Sequence, residues 1–296
     1  MSNIDSTHRG GKKMDIFEEI GKLRRQGRRA ALATIVNAQG SIPSVAAAKM
    51  LVLEDGTILG TVGGGCVESD VRKGAMEVIR SEKPRTFTFN LNQTPDEDTG
   101  LICGGSLQVF VEPILPTPTL YIIGGGHVGL NVSKVAALAG FEVNVVDDRP
   151  AFANRDRFPE AHEVLSGEWE TILPQIEIPQ TAFIVIVTRG HRYDMGALRW
   201  AVETPARYIG MIGSGRKVLA IYRQLETEGT APEDLKRVYA PIGLPIGAVT
   251  PEEIAISIVA EMIAVRRQTS DNLPHCRDRI RDEEEPSGPP SCGLPA

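Results

Sequence analysis

Several short stretches of the sequence set reactive or anion-seeking groups beside glycines, and they point to two chemistries. In GTVGGGCVESD, Cys66 follows Gly64 and Gly65 where a strand-like run gives way to a helical pattern; in LICGGSLQV, Cys103 precedes two further glycines. A helix start favours the thiolate, the form of cysteine that binds soft metals or carries sulfur. A small buried apolar residue is the other common use of a cysteine outside a disulfide. The functional reading is favoured for Cys66, and both stay open for Cys103. The second chemistry is anion binding. Gly124-x-Gly126-x-x-Gly129 in LYIIGGGHVGL follows a strand pattern and opens a helix. The first glycine permits the sharp turn, the second lets a phosphate approach the backbone, and the third lets helix pack on strand. Asp147, at the end of the next strand pattern and followed by Asp148 and Arg149, suits a ribose hydroxyl.

Ligands of open α/β sheets bind outside the carboxyl ends of the strands, so the residues following later strands are the next candidates. VIVTRGH ends in Arg189 and His191, and YIGMIGSGRK ends in Ser214, Arg216 and Lys217. With His127 they form a basic rim suited to an anionic ligand. Each alone serves equally well as a solvated helix start, but jointly they favour ligand contact. A nicotinamide enzyme using NAD(P) is the alternative reading. It would need a proton-relaying residue with an orienting carboxylate, and downstream of Lys217 the segment VYAPIGLPIGA offers neither.

These loops need elements to hold them. At 296 residues, two domains are expected. The prolines of ILPTPT, residues 114 to 119, mark the break between a domain over 14–115 and another over 119–268. The fold class is α/β: a C-terminal Rossmann-like domain with a parallel sheet, preceded by a smaller mixed α+β domain. In the first domain a helix carries Ile16, Phe17, Ile20 and Leu23 on one face. Asp55-Gly56 marks a hairpin between two strands, and GGGCVESDVRKGAMEVIRSEK leads from glycines into a helix. The second domain alternates strands near 120–124, 141–147, 181–188 and 207–212 with helices from about 127, 192 and 215. A last helix begins with Thr250 as cap, Pro251 at its first position and Glu253 closing a capping box. Residues 269–296, rich in Pro, Gly and charge, are expected to be a disordered tail.

Composition excludes some partners. A formal net charge of −6 with interspersed signs offers no broad face to a nucleic acid. No apolar run is long enough to span a bilayer, and no leader pattern precedes Met14, so a cytoplasmic protein is expected. The four cysteines show no C-x-x-C spacing, and Cys276 and Cys292 in the tail are read as incidental.

QGSIP, GTVGGGCVES, ICGGSLQVFVEP, IIGGGHVG, VVDDRPAFANRDRFP, VTRGHRYD, YIGMIGSGRK and APIGLPIGAVTPEEIAISIVAEMIA follow one another from about residue 15 to 267. In that order they resemble the XdhC/CoxI maturation factors of xanthine dehydrogenase, carbon monoxide dehydrogenase and related molybdenum hydroxylases. The resemblance implies an accessory chaperone rather than a turnover enzyme. Such a protein binds the molybdenum cofactor, as molybdopterin or its dinucleotide, and shields it while a cysteine desulfurase supplies its terminal sulfur. It then delivers the cofactor to the hydroxylase apoenzyme. Cys66 would be the molybdenum or sulfur contact, and the basic rim would face the glycine-flanked thiols across one cavity. Assembly into a homo-oligomer is compatible with this reading. Three positions depart from the family pattern: Ser44 stands for a basic residue, Ala47 for a glycine and Pro245 for an acidic residue.

Overall fold

The computed structural model describes residues 15–40, 47–90, 105–272 and 274. The chain divides into two compact units, separated in sequence between Thr117 and Pro118.

The first unit is one helix-covered antiparallel sheet. It contains α1 (Ile16–Arg25), β1 (Ala30–Gly40), β2 (Lys49–Leu53), β3 (Ile58–Gly60), α2 (Gly65–Ser81), β4 (Arg85–Asn90) and β5 (Gly105–Ile114), with sheet order β3-β2-β1-β5-β4. The turn at Asp55-Gly56 closes the β2–β3 hairpin, Gly56 taking φ 82° while Asp55 accepts the Thr57 amide. Val67, Val71, Ala75 and Val78 recur at helical spacing on α2 and bury that face against the β1 and β5 residues Ala33, Ile35, Val109 and Val111. On the other side, α1 packs Ile16, Ile20 and Leu23 against Leu32 and Leu51. Phe17, expected on that stripe, is 61 % exposed. Positions 16, 20 and 23 lie almost in line along the helix, whereas position 17 is turned by roughly 100°. Ala47 adopts a φ of 69°, a region that favours glycine, so the departure at this position places a side chain in a conformation L-residues rarely take. Ser44 and Cys103 lie outside the described residues.

The second unit is a parallel sheet wound on both faces. Its strands are β6 (Thr119–Ile123), β7 (Glu142–Asp147), β8 (Glu163–Ser166), β9 (Phe183–Ile186), β10 (Tyr208–Met211) and β11 (Val238–Tyr239), in the order β11-β10-β9-β6-β7-β8. Every neighbouring pair is parallel. The helices are α3 (His127–Leu138), α4 (Trp169–Ile172), α5 (His191–Glu203), α6 (Gly215–Thr227), α7 (Pro232–Lys236) and α8 (Pro251–Arg266). Alternation along the strands feeds two cores. Leu120 and Ile122 face α3 and α8, whereas Ile123, Ile184 and Ile186 face α5 and α6. The sheet has two more strands than expected, β8 and β11, both short and both at its edges.

The capping box of α8 is present: the Thr250 hydroxyl accepts the Glu253 amide, and the Glu253 carboxylate accepts the Thr250 amide. Of Ile254, Ile258, Met262 and Val265, which helical spacing puts on one face, the last three are buried and Ile254 is partly buried against the same core. A fully buried Glu261 shares that face, and its carboxylate accepts the Tyr208 hydroxyl at 2.5 Å and the Gly243 amide at 3.0 Å. Glu261 thereby ties the loop after β11 to the sheet. The stretch expected to be tail begins with a short 3-10 turn, Ser270–Asn272, and continues outside the described residues. Among the described residues, no helix is long and apolar enough to cross a membrane.

Candidate functional site

In the second unit the chain runs outward through β6, β7 and β8, then returns to build β9, β10 and β11 on the other side of β6. The reversal lies between β6 and β9, which is where a crevice opens at the carboxyl ends of such sheets. The segments that follow these two strands are GGGH and VTRGH, each ending on the first residue of a helix.

The three fingerprint glycines do three different things. Gly124 has φ 120°, and a Cβ there would lie 2.5 Å from the Val187 carbonyl oxygen, so it makes the turn against β9. A Cβ on Gly129 would come within 2.0 Å of the Gly124 carbonyl oxygen, so this glycine seats α3 on the strand. Gly126 is different. It caps α3 with φ −69°, a conformation open to any residue, and a Cβ there would meet nothing within 4 Å. Neither backbone strain nor internal packing calls for glycine at that position. No side chain caps α3, so the first-turn amides beginning at His127 face the open space that Gly126 leaves.

A charged network holds the rim of this loop. Asp147, at the end of β7, accepts the Gly125 amide at 2.7 Å and is bridged by Arg149 through Nε at 2.8 Å and Nη2 at 2.9 Å. Arg149 lies over the Phe152 ring, 3.6 Å from its centroid. Arg157 donates to the carbonyl oxygens of Gly125 at 2.7 Å and Phe152 at 2.9 Å. Arg189 donates to Asp148 at 2.7 Å and to the Tyr193 hydroxyl at 3.0 Å. Burial pushes the Asp147 carboxyl up, but hydrogen bonds from Arg149 and the Gly125 amide outweigh it, leaving Asp147 below the ordinary carboxylate value. Asp148 moves the other way: burial raises it, the adjacent Asp147 adds to the rise, and Arg189 opposes it without prevailing.

Beyond β9, Asp194 in the first turns of α5 is fully buried. It accepts the Thr188 hydroxyl at 2.6 Å and the Thr188 amide at 3.2 Å, and it forms an ion pair with Lys217 of α6. The Lys217 stem crosses Gly213, where a Cβ would lie 3.3 Å from its Cδ. Ser214 caps α6 by accepting the Lys217 amide. His127, His191 and Arg216 are exposed at the starts of α3, α5 and α6. The structure thus brings the expected rim residues of this unit to one sheet edge, while tying Arg189 and Lys217 to carboxylates.

In the first unit, Gly63, Gly64 and Gly65 all have positive φ, at 122°, 77° and 64°, a path that calls for glycine. They deliver the chain to α2 with Cys66 as its second residue, exposed rather than packed in the core. Among the described residues, no three His, Cys, Asp or Glu side chains gather as a metal site.

Comparison with known proteins decides the family. Residues 23–90 match the model of the XdhC and CoxI family, and residues 120–262 match that of the XdhC Rossmann domain, together more than half of the chain. The chain belongs to the XdhC/CoxI family. It is 37 % identical over 261 residues to a protein of Escherichia coli (strain K12) named uncharacterized protein YqeB, covering 88 % of this chain and 48 % of that one. It is 31 % identical over 163 residues to a probable xanthine dehydrogenase component of Bacillus subtilis (strain 168), covering 55 % and 47 %. The molybdenum cofactor insertion chaperone PaoD of E. coli (strain K12) is 22 % identical over 290 residues, covering 81 % and 84 %. The chain therefore spans about half the length of the first two relatives. In this XdhC/CoxI chain, sequence reasoning missed Asp194, the buried partner of Lys217, and the part that Arg149 and Arg157 play around Gly125. Asp194 did leave a signal, because it is in helical phase with the buried Ala197, Leu198 and Ala201.

Proposed function

We propose that this chain is a maturation factor that binds the molybdenum cofactor as cargo, protects it while its terminal sulfur is installed, and inserts it into a xanthine-dehydrogenase-type hydroxylase. Membership of the XdhC/CoxI family and the description of PaoD as an insertion chaperone support a maturation role. Gly126 carries the reading of the site: this glycine is explained neither by its φ nor by any neighbour, and it leaves open space in front of an uncapped helix start. A phosphate of molybdopterin, or of its dinucleotide, fits there. The cargo also carries a soft metal and a dithiolene. The exposed Cys66 supplies a sulfur donor of matching softness, which makes it the candidate contact for molybdenum or for the sulfur that a cysteine desulfurase delivers.

The test is delivery. Full-length chain isolated with its cargo is mixed with cofactor-free hydroxylase, and hydroxylation is followed. The restored hydroxylation rate should rise in proportion to the chain added and level off once each chain has given up its cargo, because a chaperone does not turn over. Cys66→Ala should carry less molybdenum per chain and restore less activity. Steady consumption of NADH with a panel of carbonyl compounds, without restoration of the hydroxylase, would instead establish the NAD(P)-dependent oxidoreductase.

A further inference from the structure

We infer that Asp147 clamps the glycine loop from inside and does not serve as the acceptor for a ligand's ribose, so that this edge selects a phosphate ester presenting no ribose diol at the end of β7. The inference rests on the proposal that a phosphate sits at Gly126 and the start of α3. It deepens that proposal by naming the ligand class.

An ionised carboxylate offers about four acceptor positions, two on each oxygen. In Asp147 four donors already take them. Oδ2 accepts the Gly125 amide at 2.7 Å and Arg149 Nη2 at 2.9 Å, while Oδ1 accepts Arg149 Nε at 2.8 Å and the Arg149 amide at 3.0 Å. The side chain is 1 % exposed. The two hydroxyls of a ribose would be two more donors with no acceptor left for them. Opposite Asp147, Arg157 holds the Gly125 carbonyl at 2.7 Å, so both polar groups of Gly125 are bound by charged side chains. The fit is close on that side as well, since a Cβ on Gly125 would lie 2.8 Å from the Phe152 carbonyl oxygen. Fixing Gly125 fixes the direction in which the chain enters Gly126 and His127, whose amides would receive the phosphate. The next carboxylate along, Asp148, is bridged to Arg189 and is 11 % exposed.

The experiment is calorimetric titration of the full chain with inorganic pyrophosphate, ADP and 2′,3′-dideoxy-ADP. ADP should bind no more tightly than pyrophosphate, and loss of both ribose hydroxyls should change its Kd by less than about twofold, because a site built to read a hydroxyl rejects the analogue lacking it far more strongly. Asp147→Asn and Arg157→Met should each weaken pyrophosphate, a probe with no ribose, by about tenfold, whereas Arg157→Lys, which keeps a donor for the Gly125 carbonyl, should retain most of the affinity. A loss of more than about tenfold on removing the hydroxyls would overturn the inference. So would pyrophosphate binding that Asp147→Asn leaves unchanged. Should Asp147→Asn fail to fold, the comparison of ADP with its dideoxy analogue on the unaltered chain still decides. A wild-type chain that binds neither pyrophosphate nor ADP would sink the phosphate reading of the edge and this inference with it; tight pyrophosphate binding with strong ribose dependence would sink this inference alone.

Discussion

Gly126→Asp should leave the protein slightly more stable and unable to hold a phosphate. Gly126 caps α3 in extended backbone, with φ −69° and ψ −165°, and no side chain bonds to the helix amides. Aspartate is among the preferred residues for that position. Its carboxylate would accept a first-turn amide and complement the helix dipole, for a gain of about 0.5 kcal/mol over glycine. Nothing within 4 Å obstructs it. The same carboxylate would fill the space proposed for the anion, take its donors and repel it; at about 4 Å two unit charges in a partly screened site interact by several kcal/mol, so pyrophosphate affinity should fall by about 100-fold or more. Thermal melting and titration on one preparation check both halves. A variant that melts as predicted but binds pyrophosphate normally would place the ligand elsewhere.

Gly129→Ala should act in the opposite way, on the fold. The added Cβ would stand 2.0 Å from the Gly124 carbonyl oxygen and 3.3 Å from Ile122 Cγ2. The nearer obstacle is backbone, so no rotamer change relieves it, and α3 must lift from β6 or the turn at Gly124 must open. Overpacking of a rigid site destabilises by about 3 kcal/mol at its upper range, and for a unit of this size that lowers the melting temperature by roughly 6–12 °C. Urea unfolding should show a lower midpoint with the slope unchanged. A midpoint matching the wild type would mean that α3 does not approach the loop this closely.

The difference between these two glycines explains how much of the molecule was legible in its sequence. The roles of Gly124 and Gly129 follow from geometry that any strand-to-helix turn imposes, so spacing alone pointed to them. The inner strands β6, β7, β9 and β10 were legible because burial on both faces demands near-continuous apolar runs. The edge strands EVLS and VY carry too few apolar residues to signal pairing, and α4 and α7 are too short to show a period. Phe17 was misplaced because an apolar residue at the margin of a stripe reads the same whether it is covered or not.

Charge was harder to read than shape. The sequence shows the rim cations without their partners, and it reads as more basic than it is. In the structure Arg149, Arg189 and Lys217 are each bound by an aspartate, namely Asp147, Asp148 and Asp194. Asp147 and Arg149 are two residues apart, but Arg189 and Asp148 are 41 apart, and no periodicity announces such a pair. One usable signal was present. Asp194 on α5 and Glu261 on α8 both interrupt otherwise buried helix stripes, and a charge in that position requires a buried partner.

The central claim is that this chain carries the molybdenum cofactor, and its most direct test is the molybdenum and pterin content of freshly isolated full-length protein from cells that make the cofactor. The account predicts that molybdenum and an oxidisable, fluorescent pterin travel with the chain in comparable amounts, and that both are lost from Gly126→Asp prepared alongside. Wild-type protein that emerges without pterin or molybdenum and holds NADH instead would contradict it.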